Sequence, residues 1–163
     1  MHPSRQNGFT LIELVVTLAI VAVLGLLTVP VLQVTRQRIK EQALQHALRE
    51  IRDALDAYKR AADAGVIDVD IEASGYPATL EVLVDGVPRQ ENLKKQKNVS
   101  KLYFLRRIPR DPMDETGQAN PADTWGKRSF ASEASEPREG ADVFDVYSRS
   151  PKRGLNGLAY NQW

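Results

Sequence analysis

An apolar run near the N-terminus constrains this chain more than any other feature. From residue 14 to residue 35 there is no charged side chain. As a helix, such a run has the length of a bilayer core of about 30 Å. A carboxylate, Glu13, sits directly before it. An acid at mid-helix in lipid costs roughly 2.5–3.5 kcal/mol on insertion scales, so its place calls for a reason. Taken alone, Glu13 reads as a residue snorkelling to the headgroups of an ordinary membrane anchor.

The order of the parts argues for something more specific. A secretory signal places its small-residue cleavage site after the apolar core. Here residues 1–7 form a short polar leader that ends in Gly8, before the run, and no such site follows it. The stretch G-F-T-L-I-E-L, residues 8–14, resembles the class III signal of type IV prepilins and type II secretion pseudopilins. That resemblance implies cleavage by a membrane prepilin peptidase between Gly8 and Phe9, then methylation of the new Phe9 amine. Glu13 becomes the fifth residue after the cut, and Pro30 falls where the family carries a helix-loosening proline. The resemblance further implies local melting near Gly25–Pro30 when subunits enter a filament.

The implied role of Glu13 has a physical account. A methylated Phe9 amine still carries a proton near neutral pH. In a filament, the Glu13 carboxylate of one subunit meets the Phe9 ammonium of its neighbour, and pairing makes the buried charge tolerable. Such a contact joins two different surfaces, so repetition gives an open helical filament.

Composition sets bounds rather than answers. The 163 residues carry a net charge of +1, and loss of the leader with Arg5 leaves the charges balanced. Balance gives no global attraction to nucleic acid or anionic membranes. Absence of cysteine excludes disulfides, thiol catalysis and cysteine metal sites, and two histidines make no metal cluster. Topology carries a conflict. Arg36, Arg38 and Lys40 follow the run, which by the positive-inside rule favours a cytoplasmic C-terminal side. The prepilin-like signal implies the opposite, a periplasmic head.

Beyond the run, Leu44, Leu48, Ile51, Leu55, Tyr58 and Ala62 recur at spacings of four and three. This stripe predicts that one long helix continues to a stop at Ala64-Gly65. Asp68, Asp70 and Glu72 then alternate with apolar residues, a pattern open to a short strand or a weak cation site, with a solvated acidic loop the preferred reading. G-Y-P-A-T-L-E-V-L-V, residues 75–84, resembles the pseudopilin segment after the stalk. It predicts a short helix with Thr79 as cap and Leu80, Val82 and Leu83 packed.

Residues 89–110 are basic, with Tyr103 and Phe104 interleaved among Lys94, Lys95, Lys97, Lys101, Arg106, Arg107 and Arg110. Charge with stacking aromatics is one way to bind single strands, but a solvated basic face is the preferred reading. Y-F-L-R-R-I-P-R-D-P resembles a pseudopilin segment in which Leu105 and Ile108 pack. Trp125-Gly126 then predicts a turn, residues 127–132 a strand, and residues 143–148 a second strand similar to the family's F-D-V. Residues 113–124 separate D-P from W-G, an insertion relative to that pattern. Asp111 or Asp114, with Asp145, form the only acid pairing worth naming for catalysis, and they read better as loop and turn acids.

The family pattern also implies an aspartate-rich loop holding calcium after the last strand. Residues 149–163, R-S-P-K-R-G-L-N-G-L-A-Y-N-Q-W, contain no Asp or Glu. Calcium needs several oxygen ligands, and Lys152 and Arg153 repel it. No cofactor is therefore expected, and packing of Leu158, Tyr160 and Trp163 is expected to replace the ion.

The fold class expected is α+β and pilin-like: a long N-terminal α-helix, half membrane span and half amphipathic, with a small C-terminal antiparallel β-sheet head. The expected divisions are a leader (1–8), a transmembrane half-helix (9–35), an amphipathic half (36–64) and a periplasmic head (65–163). Gly8 and Phe9 are the expected cleavage site, Phe9 the methylated residue, and Phe9, Glu13 and Pro30 the assembly residues. The resemblance implies a non-enzymatic filament subunit of type II secretion, anchored once in the bacterial inner membrane. Its implied partners are its own copies, other pseudopilins, the prepilin peptidase and the inner-membrane secretion platform, but not nucleic acid. A type IV pilus or competence pilin shares the N-terminus and is the alternative.

Overall fold

The computed structural model describes residues 9–69, 74–90 and 100–163; side chains at 26–31 are not described. One helix, α1, spans Leu11–Asp63 without a break and passes through both Gly25 and Pro30. The chain forms two compact units, and the division falls between Ile39 and Lys40, inside α1.

In the first unit the apolar side chains are turned outward on every side. Leu11, Ile12, Leu14, Leu18, Val21 and Leu24 are all exposed. Among the described residues no helix is long and apolar enough to cross a membrane. The described residues therefore do not by themselves supply the span expected over 9–35; the uncharged run continues through 26–31.

The second unit is built on the amphipathic half of α1. Leu44, Leu48, Ile51, Leu55 and Tyr58 are buried, as their spacing predicts. Ala47, Ala54 and Ala61 are buried beside them and widen the stripe, while Ala62 is only partly covered. Gly65, at φ +65°, ends the helix: its N–H bonds Ala62 O and the Val66 N–H bonds Ala61 O. This is the left-handed closure that glycine adopts without a Cβ penalty.

A short helix α2 spans Glu81–Asp85. Leu80, not Thr79, stands at its N-cap and makes no side-chain cap bond. Leu80 is fully buried, so packing rather than capping fixes where α2 begins. Two small antiparallel sheets follow, strand β1 (Val87–Pro88) with β2 (Lys101–Leu102), and β3 (Trp125–Arg128) with β4 (Asp145–Ser148). An α+β head on a long helix is thus what the chain forms.

The strand bounds differ from those predicted. A 3-10 turn at Pro121–Thr124, capped by Asn120, delivers Trp125 directly into β3, so Trp125-Gly126 is strand rather than turn. Ser129 ends that strand early, because Phe130 N–H and Ser129 Oγ both bond the Asp142 carboxylate. Val143 lies outside β4 because its N–H bonds Pro77 O. Trp125, fully buried, and Val146 carry the sheet onto the α1 stripe. Asp70, Glu72, Lys94, Lys95 and Lys97 lie outside the described residues.

Candidate functional site

The N-terminal motif opens α1. Thr10 immediately precedes the helix; its Oγ1 accepts from Glu13 N–H at 3.3 Å, and its carbonyl accepts from Leu14 N–H at 3.2 Å. Thr10-x-x-Glu13 is thus spaced as a capping box, with an acid in the first turn where the helix dipole favours it. This local reason for a carboxylate at Glu13 is written in the T-x-x-E spacing and escaped the sequence reading. Phe9 is 84% exposed and Glu13 is exposed beside it. Gly8 lies outside the described residues, and of Pro30 only its place within α1 is described.

In the second unit, Arg52 ties α1 to two separate segments, β4 and the chain at Trp163. Its Nε donates to Asp145 Oδ1 at 2.8 Å, and its Nη2 donates to Val146 O and Trp163 O at 3.2 and 2.8 Å. Arg128 reaches the other Asp145 oxygen at 3.4 Å. Asp145 is therefore the centre of a two-arginine clamp on β4.

Asp111 is not a surface loop acid but is buried at 2% exposure. It accepts from Ser148 Oγ at 2.6 Å and from Met113 N–H at 2.8 Å, while its own N–H bonds Thr124 Oγ1. Burial pushes its carboxyl above the usual value; the Ser148 and Met113 bonds oppose that, and the nearby Asp114 charge adds to it. Asp114 is held low by the Thr116 side chain and backbone first, with Arg110 contributing. These acids organise the start of the 113–124 insertion and the Asp111-Pro112 that precedes it. Among the described residues no group of acids, histidines or cysteines is placed to hold a metal.

The basic segment is drawn inward in part. Leu105 is buried and Ile108 partly covered, as expected. Phe104 packs on Tyr58 with ring centres 5.2 Å apart, Lys101 bonds Asp85 O, and Arg110 pairs with Asp114. A Phe104 ring engaged with α1 is not a free stacking platform for a base.

A helix that is apolar on all sides and then amphipathic, entered through a capped Phe-Thr-x-x-Glu motif and ending in a small α+β head, defines a pilin-like subunit. Residues 3–29 match the family described as the prokaryotic N-terminal methylation motif. The chain is 28% identical over 146 residues to the type II secretion system core protein G of Pseudomonas aeruginosa, covering 90% of this chain and 95% of that protein. It is 32% identical to the core protein G of Klebsiella pneumoniae, over 66% of this chain and 69% of the relative. The core protein G of Aeromonas hydrophila matches at 25%, over 87% and 92%. No solved structure matches the chain. The chain belongs to the type II secretion system core protein G family.

Proposed function

We propose that this chain is a structural filament subunit, a pseudopilin, of type II protein secretion. The observation that carries the reading is the register of two findings. The methylation motif covers residues 3–29, and likeness to core protein G continues over 90% of the chain. The alternative, a pilus or competence pilin, is supported by the first finding alone, since the relatives carry the secretion name.

In this reading the prepilin peptidase cuts between Gly8 and Phe9, and the Phe9 amine is methylated. The subunit waits in the bacterial inner membrane with its apolar first unit in lipid and its head in the periplasm. The exposed Leu and Val side chains of residues 11–24 support this, because so much apolar surface needs lipid or copies of itself as cover. Phe9 and Glu13 then set the stagger between copies, and Pro30 supplies the local loosening. Copies and other pseudopilins, drawing on an inner-membrane platform, form a periplasmic filament that pushes exoproteins through an outer-membrane channel. In this reading the chain itself carries no chemistry; Asp111, Asp114 and Asp145, the acids considered for it, are engaged in turns and a clamp.

The test compares proteins secreted by a deletion strain and its complemented parent. Exoproteins stranded in the periplasm, with motility and DNA uptake intact, are expected. An unchanged secretome with lost motility or transformation overturns the secretion role and favours the pilus reading.

A further inference from the structure

Residues 149–163 occupy the place where the family pattern implies a calcium loop, and their donor set does not fit the ion. They include Arg149, Lys152 and Arg153 and no carboxylate side chain, whereas calcium is held by six to eight oxygens, several of them charged.

A different arrangement orders them. Arg153 and Ala159 form an antiparallel bridge, Gly154 N–H bonds Leu158 O at 2.8 Å, and Tyr160 N–H bonds Lys152 O at 3.2 Å. Gly157, at φ +82°, turns the chain between them, and Arg153 Nη1 bonds its carbonyl at 3.0 Å. The tail is thus a hairpin that closes on itself. Glu41, on α1, receives it: Oε1 accepts from the Leu155 N–H at the tip and from the Tyr160 hydroxyl at its base, both at 2.9 Å. Tyr160 is 2% exposed and meets Trp163 edge to face at 5.2 Å. A Cβ on Gly154 would stand 2.5 Å from the Trp163 ring, so glycine is what lets that ring close. Arg52 fixes the Trp163 carbonyl. Leu158, expected to pack, is instead 51% exposed.

We infer that Glu41 is the anchoring site of the C-terminal hairpin and does the ordering that a calcium ion does elsewhere in the fold, so the head is folded and stable without calcium. The usual polarity is inverted: in a calcium loop, tail carboxylates gather a cation, whereas here one helix carboxylate gathers a tail amide and a phenol. Glu41 and Arg52 stand eleven residues apart on α1, about three turns; together they hold the hairpin tip and the following turn. The inference concerns the folded head and stands whether or not the secretion role does.

The test uses the full chain in detergent micelles. Thermal unfolding is followed with added calcium chloride and with EDTA, and amide exchange is read at Leu155 and Tyr160. Equal melting temperatures in the two media are expected. Glu41→Ala is expected to accelerate exchange at Leu155 by about tenfold or more, since a hydrogen bond to a charged acceptor is lost. Glu41→Gln, which keeps an acceptor oxygen, restores part of the protection. A higher melting temperature in calcium, reversed by EDTA, overturns the inference. So does a folded Glu41→Ala variant with wild-type exchange at Leu155.

Discussion

Ser148, the last residue of β4, donates its hydroxyl to Asp111 Oδ2 at 2.6 Å, and both side chains are buried. The bond joins Asp111, just before the 113–124 insertion, to the end of β4 in the β3–β4 sheet. A second Asp111 oxygen accepts from Met113 N–H, so both carboxylate oxygens have assigned work. Asp111→Ala leaves a buried hydroxyl and a buried amide without acceptors. Each unsatisfied group costs about 1–3 kcal/mol, and the variant is expected to lose about 3 kcal/mol of stability. Denaturant unfolding measures this, and a loss below 1 kcal/mol, on the order of a solvent-exposed bond, contradicts the assignment.

The same carboxyl sets a pH dependence. Burial raises its folded value above the ordinary 3.8, with Asp114 adding in the same direction. An acid whose folded pKa is raised binds its proton more tightly in the folded state. Its contribution is full below 3.8 and is lost as pH rises through the folded value. Asp111→Asn is expected to flatten that decline in melting temperature across the acid range. A parallel decline in both proteins assigns the slope to other groups.

Tyr147 lies across the strand from Gly126, and a Cβ at that glycine would stand 2.3 Å from its ring. Gly126 has no positive φ, so space, not backbone conformation, requires the glycine. Gly126→Ala is expected to cost about 1–3 kcal/mol by overpacking. Adding Tyr147→Ala removes the obstacle, so the double variant loses less than the sum of the two. Strict additivity in the cycle is the result that removes this account.

Some of this was legible in the sequence and some was not. The α1 stripe, the Gly65 stop and the F-D-V strand announce themselves through period and turn chemistry, because burial repeats along an element. Local rules also contain the Thr10–Glu13 cap, in its T-x-x-E spacing. Nothing periodic marks Arg52, whose partners lie 93, 94 and 111 residues away, or Asp111, 37 from Ser148. Such polar contacts appear only once the chain has closed, so Asp111 and Asp145 look like loop acids in the sequence. Strand bounds shifted for a similar reason, since Pro77 and Asp142 compete for the backbone beside the ladders.

Arg52 engages its three acceptors as a planar fork, two of them backbone carbonyls. A lysine places one point charge and cannot serve Asp145, Val146 and Trp163 together. The site is partly exposed, at 36% for Arg52 and 26% for Asp145, so solvent screens the ion pair and the carbonyl bonds matter more. Arg52→Lys is expected to lose about 1–2 kcal/mol and to depend little on salt. A loss that disappears in high salt identifies the ion pair as the stabilising element instead.

Glu13 has one place within its own helix and, in the proposed filament, a second between subunits. Within α1, its N–H bonds Thr10 Oγ1, a contact made by backbone that survives loss of the carboxylate. The first-turn acid adds only about 0.3–1 kcal/mol through the helix dipole. Glu13→Ala is therefore expected to keep a folded helix and to be cut at Gly8–Phe9 as efficiently as the parent. In the proposed filament, loss of the charge would leave a neighbour's Phe9 ammonium buried without a partner, at a cost of several kcal/mol per contact. Filament yield by shearing and electron microscopy should fall by more than tenfold, with mass spectrometry confirming the processed N-terminus. Glu13→Gln separates the two further, since it keeps hydrogen bonding but removes the charge. Abundant filaments from processed Glu13→Gln show that the carboxylate's charge does not set the stagger.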